Sequence, residues 1–397
     1  MFTRLAACFR ASLAAAAILV VTTVSPLPQA QACCPLCGPA QMTLTEQLGT
    51  ADAAVLVQWV GGEKDTEAKP GSTTYQIQQI VKGPKNLAKD QKVTLDRFRT
   101  GKVGDLFMLL GTANGKELEW GSPLEVSETS FNYISQAPSL EAAPGKRLAY
   151  FLKFLEYPDP IIANDAFGEF ANAQYKDIGQ LAAQLPKDKI RKWIADPETP
   201  GTRLGLYGML IGLCGSSDDA KLLESRILVQ TDEFRLGIDG LMGGYLLIMK
   251  DKGLDVLDEH KLSNKKVPFS ETYAAMQALR FMWTYESGKI PAERMQQSMR
   301  ILLDRPEMAD LVIADLARWK DWTIQDKLMA KYGEGEYNIP SIKRAIVRYM
   351  LISSKDVAAG GGAPQPAHVA RGQKLLEELR KKDPKTVSEA ERFFFVP

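Results

Sequence analysis

The stretch "RLGLYGMLIGLCG" (residues 203–215) is echoed 32 residues later by "RLGIDGLMGGYLL" (residues 235–247), and Gly205, Gly208 and Gly212 are matched by Gly237, Gly240 and Gly244. A period of this length marks stacked supersecondary units. Each glycine inside a helix costs roughly 1 kcal/mol against alanine, so three in one helix need a compensating gain. Spacings of three and four place them on one face, where missing Cβ atoms let a neighbouring helix come close. The expected gain is packing between adjacent repeats. Phosphate binding is discounted, because no Gly-rich loop follows a strand and no Lys-Ser/Thr pair completes a P-loop.

Working outward, helical spacing begins after "EAAPGKR" and persists. "LAYFLKFLEY" (148–157) stops at Pro158-Asp159-Pro160 and "IIANDAFGEFANA" (161–173) restarts behind it. Further units start at Ser270 ("SETYAAMQALRFMW"), Ala309 ("ADLVIADLARWKDW") and Ser341 ("SIKRAIVRYMLIS"). In series, these segments resemble degenerate HEAT repeats, which implies a curved solenoid over 141–356 whose extended surface binds another macromolecule. Residues 357–367, with "AAGGGAPQP", read as a Gly/Pro linker, and 368–397 as a capping helix and tail.

Toward the N-terminus the apolar pattern is mostly of period two, bounded by turn residues, with one continuous apolar run at 105–111 as expected for a central strand. The runs "AVLVQWV" (54–60), "TTYQIQQIV" (73–81), "KVTLDRF" (92–98), "DLFMLLG" (105–111) and "ELEW" (117–120) predict five short strands, with an Asn114-Gly115 hairpin turn. Closure would remove their exposed edges, so a small OB-like β-barrel is expected. The fold class is therefore α+β and multidomain: this barrel followed by an all-α HEAT-like solenoid. Over residues 33–135, an N-terminal cysteine cluster followed by "ADAAVLVQWVGG", "TYQIQQIVKGP", "KVTL" and "GDLFMLLG" resembles the netrin-like or tissue-inhibitor-of-metalloproteinases module. That resemblance implies an OB fold, and implies that Cys33 chelates a partner protease's zinc through its amine and carbonyl. The pattern departs from the family in having no cysteine between 38 and 135.

Residues 1–32 read as an export signal. Arg4 and Arg10 precede an apolar run from Leu13 to Val24, and Ala30-Gln31-Ala32 offers a cleavage site before Cys33. The apolar run is short for a bilayer span of about 20 residues, and no later segment is comparable, so no transmembrane helix is expected. Cleavage leaves Cys33, Cys34, Cys37 and Cys214 for an oxidising compartment, periplasmic or extracellular, where disulfides persist. Four readings of the cluster compete. A structural staple restricts the unfolded chain. A Cys34/Cys37 redox pair lacks the preceding strand that such motifs have. A zinc site lacks ligands, because His260 and His368 are the chain's two histidines. Lipidation of Cys33 would anchor the protein to a membrane, but Ala30 stands where lipoprotein signals carry leucine.

Composition narrows the function. Hydrophobic residues at 45% and charged residues at 24% suit a globular chain with a sizeable core. A net charge of +1 gives no general attraction to nucleic acid. Neither G-x-S-x-G nor H-E-x-x-H occurs, and both histidines read as solvated surface groups. Asp218-Asp219 after Ser216 reads as a helix cap and first turn. "DRFRTGKVGD" sets Arg97, Phe98, Arg99 and Lys102 around a turn, a candidate binding loop that also reads as a plain hairpin. Trp283, Trp319 and Trp322 read as packing between repeats. The expectation is a non-enzymatic interaction module of the bacterial cell envelope, with another protein as partner and no cofactor. The alternatives are a metalloprotease inhibitor acting through Cys33 and a CxxC redox protein.

Overall fold

Thr43 and Glu46 start the first element: the Thr43 amide donates to Glu46 Oε2 at 2.8 Å while the Thr43 hydroxyl accepts from the Glu46 amide. This reciprocal cap opens α1 (Leu44–Thr50). The computed structural model describes Leu36 and residues 42–115, 117–356 and 365–392, all within one unit spanning Cys33–Pro397. Cys33, Cys34 and Cys37 lie outside the described residues, as do residues 1–32 and 357–364 of the linker.

Six antiparallel strands follow α1: β1 (Ala53–Glu63), β2 (Ser72–Lys82), β3 (Lys92–Leu95), β4 (Leu106–Asn114), β5 (Glu117–Trp120) and β6 (Leu124–Glu125). Their order is β3-β2-β1-β4-β5, with β6 also on β4. Alternation divides the side chains between two cores. Val55, Val57, Tyr75, Ile77, Val93, Leu95, Phe107 and Leu109 bury against one another. Leu56 and Met108 point the other way and join the helical core. The expected closed barrel is corrected here: β3 and β5 share no ladder, and the sheet is open. Each offers only four residues, and β6 takes the edge of β4 at Phe107 and Met108.

Helices make up the rest: α2 (Glu128–Gln136), α3 (Pro144–Phe151), α4 (Pro160–Ala171), α5 (Tyr175–Gly179), α6 (Lys187–Ala195), α7 (Gly201–Cys214), α8 (Ser217–Ile227), α9 (Ile238–Met249) and α10 (Asp251–Leu257). A π-turn (Asp258–Leu262) extends α10. Then come α11 (Phe269–Tyr285), α12 (Ala292–Ile301), α13 (Ala309–Arg318), α14 (Gln325–Lys331), α15 (Pro340–Ser353), α16 (Ala367–Lys382) and α17 (Pro384–Arg392). The C-terminal segment thus forms two helices, because Pro384 opens a new first turn.

The two glycine repeats meet. A Cβ built on Gly208 would stand 2.5 Å from the Gly240 carbonyl oxygen, and one on Gly212 would stand 2.6 Å from Gly244 Cα. Partners advance together along the chain, so α7 and α9 lie parallel. The repeats still differ locally: Arg203 and Gly205 sit inside α7, whereas Gly237 adopts φ +76° and caps α9, leaving Arg235 outside it. α9 packs in turn on α11, α13 on α15, and α15 on α16 and α17. Trp283 and Trp319 stack with centroids 4.3 Å apart, joining α11 to the end of α13.

Candidate functional site

The loop after β3 carries Arg97, Phe98, Arg99 and Lys102, and the structure shows how two of their guanidinium groups are used. Arg97 reaches across the open seam and donates to the carbonyls of Trp120 and Gly121 and to Ser122 Oγ. Arg99 donates to the Pro123 carbonyl at 2.9 Å, pairs with Glu125 at 3.4 Å, and lies 4.8 Å above the Phe107 ring. Phe98 packs beside Gly62 and Gly71. The Lys102 amide donates to Asp105 Oδ2, closing the turn. The four residues thus turn to different partners, and both arginines fasten the β5–β6 connection.

Leu36 is the described residue of the cysteine-rich segment, and it is buried. It sits on the glycine faces: its carbonyl oxygen occupies the place a Gly205 side chain would take, and its Cδ1 stands 2.8 Å from where a Gly243 Cβ would be. Cys214, at the end of α7, is a free thiol whose Sγ donates to the Leu210 carbonyl at 3.4 Å. Burial pushes that thiol's pKa up, which suppresses the thiolate.

Several buried carboxylates of the helical region meet a cation from another helix or loop. Asp219 of α8 takes Arg191 and Lys187 from α6; Asp315 of α13 takes Arg280 from α11; Asp321 takes Arg300 from α12. Burial alone would raise Asp219, but bonds from Arg191, Ser216 and Lys187 hold it well below the usual range. Ser216 and Asp219 form the reciprocal cap expected there. Arg203 and Arg235 of the repeat also serve helix ends: Arg203 donates to the Leu155 carbonyl and pairs with Glu156, and Arg235 donates to the Arg226 and Ile227 carbonyls. Cations at helix C-termini complement the dipole.

Sequence reasoning missed an ionic group at the start of α11. Glu271, in the first turn of α11, receives Arg235 Nη2 and Lys261 Nζ, each at 2.7 Å. Lys261 and Glu271 are both buried. Burial would raise the Glu271 pKa, yet Arg235 and Lys261 outweigh it and hold the carboxylate ionised. A cleft of about 390 Å³ opens beside it, lined by Val229, Asp232, His260, Lys261, Lys266 and Glu271. A lone glutamate in a helical run carries no sequence mark of such a role.

His260 is exposed. His368 departs from the expected solvated position: its ring stacks on Trp322 at 5.7 Å, and its Nε2 lies 3.2 Å from Asp356 Oδ2. Among the described residues no group of three or more metal-ligating side chains converges, and no helix is long and apolar enough to cross a membrane. Comparison of the chain with family models, with curated proteins and with solved structures gives no match.

Proposed function

We propose that this protein is an exported, non-enzymatic interaction module of the bacterial cell envelope, with an OB-like, netrin-like sheet region joined to a HEAT-like helical stack. The observation that carries the reading is the repeated use of charged side chains as pins between successive elements: Arg191 to Asp219, Arg235 to Glu271, Arg280 to Asp315 and Arg300 to Asp321. Such pins hold an extended stack in a fixed shape, which a binding surface requires. Export is read from the Arg4/Arg10 leader pattern and the Ala30-Gln31-Ala32 site.

The buried Leu36, three residues after Cys33, favours a segment tied to its own core over a free wedge entering a protease. The raised thiol pKa of Cys214 favours a structural over a redox role for that residue. The test is photo-crosslinking in the native envelope from Phe234 and Ile339, both exposed on the helical region. A reproducible adduct with one protein, competed away by purified protein, is expected. Absence of adducts from both positions overturns the reading.

A further inference from the structure

We propose that the cleft between α3 and α6 binds an acidic segment of a partner protein in extended conformation. This rests on the interaction-module reading and names the chemistry of the partner. The cleft has a volume of about 650 Å³ and is lined by Lys146, Lys153 and Lys189, the amides of Gln136 and Gln184, and the Tyr150 ring, with no Asp or Glu in its wall.

Some lysines of the helical region are held by carboxylates, as Lys187, Lys261, Lys320 and Lys343 are. No ion pair engages Lys146, Lys153 or Lys189 among the described residues. Lys146 lies on α3 and Lys153 on the 3-10 turn Leu152–Phe154 that continues it. Seven residues apart, they share one face with about 10 Å between them along the axis. Lys189 enters from the first turn of α6, where its neighbour Asp188 is paired with Arg191. Three like charges around one concavity concentrate the field and select an anion.

The lining points to a peptide. Each glutamine amide offers both a donor and an acceptor, matching a peptide unit. Tyr150 is fixed by its hydroxyl, which donates to the Tyr133 carbonyl at 2.6 Å, so its ring gives a rigid apolar floor. An extended chain advances about 3.3 Å per residue. Side chains of an extended segment alternate between two faces, so carboxylates facing the cleft stand about 6.6 Å (i, i+2) or about 13 Å (i, i+4) apart, values that bracket the Lys146–Lys153 separation.

The test is fluorescence anisotropy of a labelled hexaglutamate peptide titrated with the full protein. It is compared with a Lys146→Glu/Lys153→Glu/Lys189→Glu variant and with a Lys64→Glu/Lys85→Glu/Lys89→Glu variant that changes net charge equally on exposed sheet-region lysines. Saturable binding is expected, weakened about tenfold or more by the cleft reversal and little by the control. Because all three cleft lysines are exposed, circular dichroism should show both variants folded. No saturable binding, equal loss in both variants, or displacement of the peptide by a heparin oligosaccharide more readily than by unlabelled hexaglutamate overturns the proposal. Crosslinks from Phe234 that persist without hexaglutamate binding would discard the cleft alone, whereas loss of crosslinks from Phe234 and Ile339 would discard the module reading.

Discussion

Gly208 and Gly240 touch backbone to backbone: a Cβ on Gly208 would meet the Gly240 carbonyl oxygen at 2.5 Å and its carbonyl carbon at 2.6 Å. Both neighbours are main chain, so no side-chain rotation makes room. Gly208→Ala gains about 1 kcal/mol of helix propensity but forces α7 and α9 apart, an overpacking cost of about 1–3 kcal/mol. Net destabilisation is expected, read as a lower thermal midpoint. Gly179→Ala is the control, since that position faces open space and should be neutral or slightly stabilising. Equal midpoints for Gly208→Ala and the parent would refute the close approach.

Glu271 holds two cations at once, and removing it strands Lys261 while Arg235 keeps its bonds to the Arg226 and Ile227 carbonyls. Lys261 is buried with Glu271 as its ion-pair partner, so Glu271→Ala should cost about 3–5 kcal/mol. Converting the pair together, Lys261→Met with Glu271→Leu, should recover much of that loss, leaving Arg235 its carbonyl partners. Urea denaturation of the single and double variants measures the difference. A double variant as unstable as Glu271→Ala would mean that the ionic group contributes more than mutual compensation of buried charge.

The glycine faces were legible because glycine is costly in a helix, and a recurring cost implies a recurring reason. Strand positions were legible too: alternation at 54–60, 73–81 and 117–120 and the continuous apolar run at 105–111 coincide with β1, β2, β5 and β4. Closure was not, since period two says which side chains share a face and nothing about whether β3 reaches β5. α1 was missed although Thr43-Leu44-Thr45-Glu46 carries a capping-box signature. The ionic pins were beyond reach for a different reason. Arg235 and Glu271 are 36 residues apart, and the Leu44 amide meets Asp165 across 121; only the fold pairs them.

Arg97 should act as a latch for the sheet. Its guanidinium spans from the end of β3 to the carbonyls after β5, where no backbone ladder exists. Arg97→Ala removes these bonds at an exposed position, a loss of about 1 kcal/mol. The effect should be local: faster amide exchange in Glu117–Trp120, with α7 and α9 unchanged. Unaltered exchange at β5 would show that the seam is held by other contacts.

Asp165 should give stability an unusual pH dependence. It lies buried on α4, accepting from the Leu44 amide at 2.6 Å and the Tyr133 hydroxyl at 2.8 Å. Glu46 of α1 and Glu169 of α4 face it, Tyr133 and Tyr150 come from α2 and α3, and the nearby cation, Arg147 of α3, is bound to Glu169. Burial pushes the Asp165 pKa up from 3.8 to about 6, with the two glutamates adding to the rise and the bonds from Leu44 and Tyr133 opposing it. The folded state therefore keeps a proton that the unfolded state has released. Its contribution is full below pH 3.8 and is lost as pH rises through about 6. The total is on the order of 3 kcal/mol. Asp165→Asn cannot ionise, so relative to the parent it should gain stability between pH 4 and 7, measured as the difference in urea midpoints across roughly that range. A constant difference between the two proteins over those pH values would mean that Asp165 is ionised in the fold, and that α1 is held to α4 by a charged carboxylate.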